Sequence, residues 1–377
     1  MIAPVALGLL WALQTPAAVK LPAAEATLRH EFIQIRGLVE LKDGRVLVTD
    51  RLDELVAVAD FASGSFTPIG RVGGGPEEYR LPASLIPVPG DSVLLIDEGN
   101  NRLVLIGPDL RIKRTMARQT PELPDALWPR GVDPSGRHYA LVPGWIMFAR
   151  GMASDSLPIV RFQPTGTKLE TLAWLHPSPD PPPPPRRDRP RIPMVVFAAG
   201  DAWAPGPNGR IAIVRAKDYR VEWIDSAGRR TVGPPVRWSP VPVTTRDRTE
   251  YTRRFLATSG IGGKGGGDRP PGGLVATPAE LMTDAKVAEL ADNTAFAKVK
   301  APFTDVTPKV GPDGTLWVER SMPAGSPARW DVFDQGGAWT GQVELPAGRR
   351  LVALGAGTVY LAAVNEDGVE RLERYRR

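Results

Sequence analysis

The chain has 377 residues, with 47 lysines and arginines against 42 aspartates and glutamates and a formal charge of +5, an excess too small over this length to point to nucleic acid. Cysteine is absent, which excludes disulfides, thiolate metal sites and a cysteine nucleophile. The 39 glycines and 40 prolines sit among plentiful aliphatic and aromatic residues, the composition of a turn-rich folded β protein rather than of a disordered chain.

The first residues, MIAPVALGLLWALQTPAA, form an apolar run too short to span a bilayer and as long as a signal-peptide core, followed by small residues. The stretch ahead of the run has no lysine or arginine. We expect export to the periplasm or beyond, with cleavage after Ala17, Ala18 or Ala26, or else an uncleaved hydrophobic segment over residues 1–26. No other stretch is long and apolar enough to cross a membrane, so residues 27–377 are expected to form one domain, a monomer without a membrane span.

From Gly37 the chain reads as four short β-type runs, with turns at Asp43-Gly44, residues 51–54 and Ser63-Gly64. From Leu85 the same layout returns, with turns at Gly90-Asp91, residues 98–101 and Pro108-Asp109. Alternating apolar runs punctuated by such residues mark hairpins, and a recurring four-strand unit marks blades. Aligning the first turn of each unit gives Gly44, Asp91, Gly136, Gly209, Gly314 and Gly357, at separations of 47, 45, 73, 105 and 43 residues. Three separations match one blade and two match a blade plus an insertion. The sixth unit ends after three strands, and a sheet lacking its outer strand is an aggregation hazard. The run TLRHEFIQI, residues 27–35, has no other partner, so it is expected to close the last blade. The expected fold is a six-bladed β-propeller, all-β, whose two chain ends meet in one sheet.

The segment GRVGGGPEEYRLP, residues 70–82, falls between blades one and two. No helix follows it and the Lys-Ser/Thr of a phosphate loop is absent, so it reads as a turn. Residues 176–193 carry five successive prolines beside a cluster of arginines, an extended, exposed strut that reads first as an ordinary surface loop and, as the alternative, as a segment bound by a partner with an aromatic groove. Between blades four and five, residues 240–301 break the β pattern. A helix is expected over about residues 246–256 and another after the capping box Thr277-Pro278-Ala279-Glu280, with Leu281, Val287 and Leu290 on one face. The GIGGKGGG between them lacks a preceding strand, and Lys264 precedes glycine, so it reads as a linker.

Residues 70–112 resemble an NHL-type propeller repeat: a glycine-rich crossover, an aromatic and a proline, a strand ending in Asp97, then Asn101-Arg102 and a hydrophobic strand. Residues 314–348 are similar to the fifth blade of exported bacterial six-bladed propellers of that superfamily. The resemblance implies the fold and little chemistry. It also implies an alternative, because gluconolactonase-like and amidating-lyase-like relatives hold a divalent metal in the channel, where carboxylates and amides suit calcium.

Ligands of such a ring bind at the mouth of the central channel, lined by the innermost strands. By alignment the candidates are Glu40, Trp128, Arg130, Trp203, Asp305 and Lys309, the tryptophans to stack on a flat ligand and the charged groups to pair with it; the competing and preferred expectation is that the tryptophans pack between blades and the charges pair across a solvated channel. His30, His138 and His176 are far apart, no G-x-S-x-G elbow occurs, and no innermost-strand carboxylate set is evident. Asp50 and Asp97 read as turn holders. The expected function is non-catalytic binding of a small ligand or protein partner at the channel mouth, with no cofactor and no metal site. The alternative is a metal-dependent hydrolase or lyase, with Ca2+ as its cofactor.

Overall fold

The computed structural model describes residues 18–118, 127–149, 151–152, 155–166, 168–177, 195–258, 283–365 and 368–377. Most of the proline strut, the glycine-rich linker with Lys264 and the Thr277 capping box lie outside them.

Six four-stranded antiparallel units follow one another in the chain. Blade 1 runs from Ile35–Glu40 through Val46–Asp50 and Leu55–Ala59 to Phe66–Pro68. Blade 2 begins at Pro82–Val88, blade 3 at Gly131–Val132, blade 4 at Ala202–Pro205, blade 5 at Lys309–Val310 and blade 6 at Arg349–Leu354. These innermost strands touch in succession around the ring. Blade 6 supplies only three strands of its own, and Ala26–Phe32 pairs antiparallel with Glu370–Arg376 as its outer strand. The ring is therefore closed by the beginning of the chain.

All six aligned turn residues adopt the left-handed conformation, with φ of 85° at Gly44, 56° at Asp91, 76° at Gly136, 72° at Gly209, 77° at Gly314 and 76° at Gly357. A tight hairpin requires this region, which glycine enters without steric cost and aspartate tolerates. Aspartates rigidify such turns. Asp133 accepts from the amides of Ser135 and Arg137 and pairs with the Arg137 guanidinium at 2.7 Å, and Asp225 does the same with Ala227 and Arg229 in the last hairpin of blade 4.

The sheets bury alternate residues between blades. One core joins blades 6 and 1 through Leu28, Phe32, Leu38, Val48, Tyr360 and Leu372. Another joins blades 4 and 5 through Tyr219, Trp223, Val318 and Phe333. The innermost strands approach so closely that a Cβ on Gly37 would sit 2.8 Å from the Ala83 carbonyl oxygen, and one on Gly131 would sit 2.4 Å from the Pro205 side chain.

Two features were not expected. Val19–Lys20 adds a parallel fifth strand to blade 5, after which Leu21 and Ala24 pack between blades 5 and 6. A short helix, α1 (Gly144–Ala149), interrupts blade 3 and buries Ile146 and Met147 while Trp145 stays exposed. The expected helical insertion is present as α2 (Thr245–Thr258) and α3 (Asp284–Asp292), the latter capped by Thr283. Asp247 anchors α2 to the ring: it pairs with Lys300 at 2.6 Å and accepts from the Ala324 amide. Phe197, in the crossover into blade 4, packs its ring on Tyr251 of α2 and on Phe296.

Blade 3 also buries a base. His138 is 6 % exposed, and burial lowers its pKa from 6.5 to about 4, with Asp133 opposing. The unfolded imidazole takes up its proton first as pH falls, so the stability tied to the neutral ring is complete above pH 6.5 and drains away towards pH 4, by about 3 kcal/mol in all. Urea unfolding of wild type and His138→Gln at pH 7 and pH 4 checks this. The difference between the two proteins should shift in favour of the variant at the lower pH by that amount.

Candidate functional site

Chain direction assigns the two faces of the ring. The first hairpin of every blade lies on one face, and the crossovers between blades and the turns from second to third strand lie on the other. Among the described residues the elaborations open on that second face: the crossover at residues 70–81, α1, residues 176–177 and 195–201 between blades 3 and 4, and the helices α2 and α3. The innermost strands enter the channel from this face.

Four of the six innermost strands bring a cation to the channel: Arg36 in blade 1, Arg130 at the entry to blade 3, Lys309 in blade 5 and Arg350 in blade 6. Arg36, Arg130 and Arg350 are exposed. Lys309 is walled in by protein yet keeps part of its surface open, as expected of a side chain in a narrow water-filled channel. Its amine is lowered to about 8 by loss of solvent and then by repulsion from Arg350 and Arg130. Arg350 is held by Glu370 at 2.7 Å and donates to the Ile35 carbonyl. Arg36 donates to the Gln34 side chain at 3.0 Å. Arg130 lies 5.4 Å above the Trp203 ring, a cation–π contact. Among the described residues Lys309 has no hydrogen-bond or ion-pair partner.

The six residues singled out from sequence separate into two groups. Arg130, Lys309 and Asp305 lie at the channel, with Asp305 exposed where the chain enters blade 5. The other three serve the walls. Glu40 accepts from the Ala356 amide at 3.1 Å, the Tyr360 hydroxyl at 2.6 Å and the Thr358 hydroxyl, tying blade 1 to blade 6. Trp203 is 1 % exposed and packs between blades 3 and 4, so no face of its ring is free to stack on a ligand. Trp128 is half-buried against the blade 2 core with Arg118 stacked 3.7 Å from its centre.

Arg36 and Arg350 were missed. Arg36 is exposed between buried Ile35 and Gly37, and Arg350 is exposed next to buried Leu351, a pattern that the two-residue period of a strand identifies. In blade 1 a bulge between Ile35 and Gly37 resets that period, which is why position 40, chosen over position 36, turns away into the blade interface.

Beside the cations lies a small acidic patch under α2. Glu319, on the second strand of blade 5, accepts from the Thr304 hydroxyl at 3.0 Å. Burial pushes its carboxyl up, and Asp305 adds to this, against the Thr304 hydrogen bond and the Arg254 charge. Asp50 and Asp97 do hold turns: Asp50 accepts from four amides, at Ile33, Gln34, Leu52 and Asp53, and Asp97 pairs with Arg102 at 2.7 Å. The glycine crossover is organised around that arginine, whose guanidinium donates to the carbonyls of Gly74, Gly75 and Glu78. Its carbonyls thus face a cation, the opposite polarity to a phosphate cradle.

The residues present do not fit a metal in the channel. No three His, Asp or Glu side chains come together in a metal-binding group among the described residues, and the charged groups placed at the channel are four cations with the carboxylate of Asp305 beside them.

No protein-family model matches this sequence, and no curated protein matches it. Solved structures that align along the chain include a calcium-binding protein, regucalcin, from Agrobacterium tumefaciens (12% identity, TM-score 0.42, 96% of this chain and 98% of that one). A gluconolactonase from Xanthomonas campestris aligns at 11% identity and TM-score 0.44, over 96% and 98% of the two chains. An exported-protein candidate from Bacteroides fragilis aligns at 12% identity and TM-score 0.47, over 96% and 94%. The protein is a six-bladed β-propeller on the evidence of its own strand order and closure.

Proposed function

We propose that the protein is a binding module for a small anionic ligand, which enters from the face carrying the crossovers and is held in the channel without turnover. The observation that carries the reading is the convergence of Arg36, Arg130, Lys309 and Arg350 on one channel, with Lys309 left uncompensated. Such a cluster raises the local concentration of anions and makes strong charge-assisted hydrogen bonds to carboxylate or phosphate oxygens. The metal-dependent hydrolase or lyase reading finds no donor set among the described residues, and no step is derived through a metal.

Calorimetric titration with citrate and inorganic phosphate tests this, with a neutral hexose as control. The anions are expected to bind more weakly as salt rises, and Lys309→Gln or Arg350→Gln should each weaken binding by about 1.5–3 kcal/mol. Because Lys309 loses its charge near pH 8, affinity should fall as pH rises from 7 to 9, and Lys309→Arg should abolish that fall. Equal binding of the hexose, or unchanged affinity in the variants, would overturn the reading. Export to the periplasm or beyond belongs to the same proposal, and the apolar run at residues 2–13 followed by small residues supports it.

A further inference from the structure

We infer that Lys309 is a covalent capture residue, forming a reversible imine with the carbonyl group of a 2-oxo acid whose carboxylate is held by Arg350 and Arg130. The inference rests on the anion-binding reading and adds the chemical class of the ligand.

Lys300, the most buried of the described lysines, donates to the Met322 carbonyl and pairs with Asp247 at 2.6 Å. Lys42, Lys113 and Lys286 each pair with a surface carboxylate. Lys309 sits half-buried on the innermost strand of blade 5, and no carboxylate, carbonyl or hydroxyl among the described residues meets its amine. Its charged neighbours are instead Arg350 from blade 6 and Arg130 from blade 3. A charged amine in that position is opposed by both desolvation and repulsion, and both favour the neutral, nucleophilic form. The same guanidiniums match the planar geometry of a carboxylate. A molecule with a carboxylate beside a carbonyl meets both needs at once: the guanidiniums take the anion and the amine faces the adjacent carbon.

The step balances without a co-reactant. The nitrogen lone pair adds to the carbonyl carbon, giving a carbinolamine, which loses water as the C–O bond breaks and the C=N bond forms. Hydrolysis of the imine releases the oxo acid unchanged.

The test is reductive trapping on the full-length protein with sodium cyanoborohydride and 2-oxobutyrate, followed by peptide mapping, with uncharged 2-butanone in parallel. Lys309 is expected to gain one secondary-amine adduct, at a rate about tenfold or more above exposed Lys217 and Lys298, and 2-butanone should show no such preference. Arg350→Gln should remove most of the selectivity. Citrate and phosphate binding, titrated on the same wild-type preparation that is trapped, separates this inference from the reading beneath it. Uniform labelling of surface lysines, or equal trapping of 2-butanone, would overturn the imine and leave anion binding standing. Loss of citrate and phosphate binding in the wild type would overturn both. Because the decisive measurement is made on the unmodified protein, a variant that fails to fold does not blunt it.

Discussion

Replacing Phe32 by alanine is expected to lower the unfolding free energy by about 3–5 kcal/mol, read as a lower urea midpoint at unchanged slope. Phe32 is 1 % exposed, the seventh and last residue of the strand Ala26–Phe32, and it packs with Leu28, Leu38, Val48 and Tyr360 between the first and last blades. The benzyl group is therefore the plug of the seam that closes the ring. Around it the seam is polar and specific. Glu25 pairs with Arg374 and with Arg376, Glu31 with Arg371, and the Ile35 amide donates to Glu370. These exposed pairs add little energy each, but they set the register of the strand against Glu370–Arg376. Removing residues 18–34 altogether leaves that strand's edge unpaired and its apolar face in water. The truncated chain is expected to aggregate, and a synthetic peptide of residues 18–34 added during refolding is expected to restore a soluble monomer with the wild-type circular dichroism spectrum. A truncated chain as stable as the wild type would show that the seam is not what holds the ring.

The second large effect is expected at Asp331, on the third strand of blade 5 and wholly buried. Its carboxylate accepts from the Arg320 guanidinium at 2.9 Å, the Trp339 indole at 3.0 Å and the Gln342 amide at 2.8 Å. It also accepts from the Tyr219 hydroxyl of blade 4. Burial, together with the Asp331 charge, pushes that hydroxyl well above its ordinary pKa, so it remains a donor at every accessible pH. Asp331→Ala strands the guanidinium and three donors in an apolar interface. Breaking a buried pair from one side typically costs about 3–5 kcal/mol, and the loss should appear as an equal drop in unfolding free energy by urea titration. Tyr219→Phe deletes only one donor, so its cost should be about 1–3 kcal/mol. If the alanine variant proved no worse than the phenylalanine variant, the carboxylate would not be the hub of the network.

The blade count was legible in sequence because each blade carries a local mark. Gly44, Asp91, Gly136, Gly209, Gly314 and Gly357 all occupy a conformation that few other residues adopt, so the six hairpins were written in residue type, not in long-range contacts. The closing strand was legible for a related reason: the sixth unit ran out after three strands and one unpaired β run remained. α1 was hidden because its apolar residues continue those of blade 3. The strand Val19–Lys20 was hidden because its partner, Trp339–Glu344, is some three hundred residues away in the chain and two residues carry no periodicity. The site was only half legible. Sequence alignment located the innermost strands, and with them Arg130, Lys309 and Asp305. It did not distinguish Trp203, buried between blades, from a tryptophan lining the channel, because both lie on an alternating strand and differ only in which side a neighbouring blade occupies.

The last strand, Glu370–Arg376, runs towards the hairpin face, and the Arg377 amide donates to the Gly357 carbonyl in one of those hairpins. A tether fused after Arg377 would thus leave from the side opposite the crossovers. Immobilised on a sensor surface by that end, the molecule would present its funnel to the flowing solution, an orientation well suited to screening charged metabolites against it.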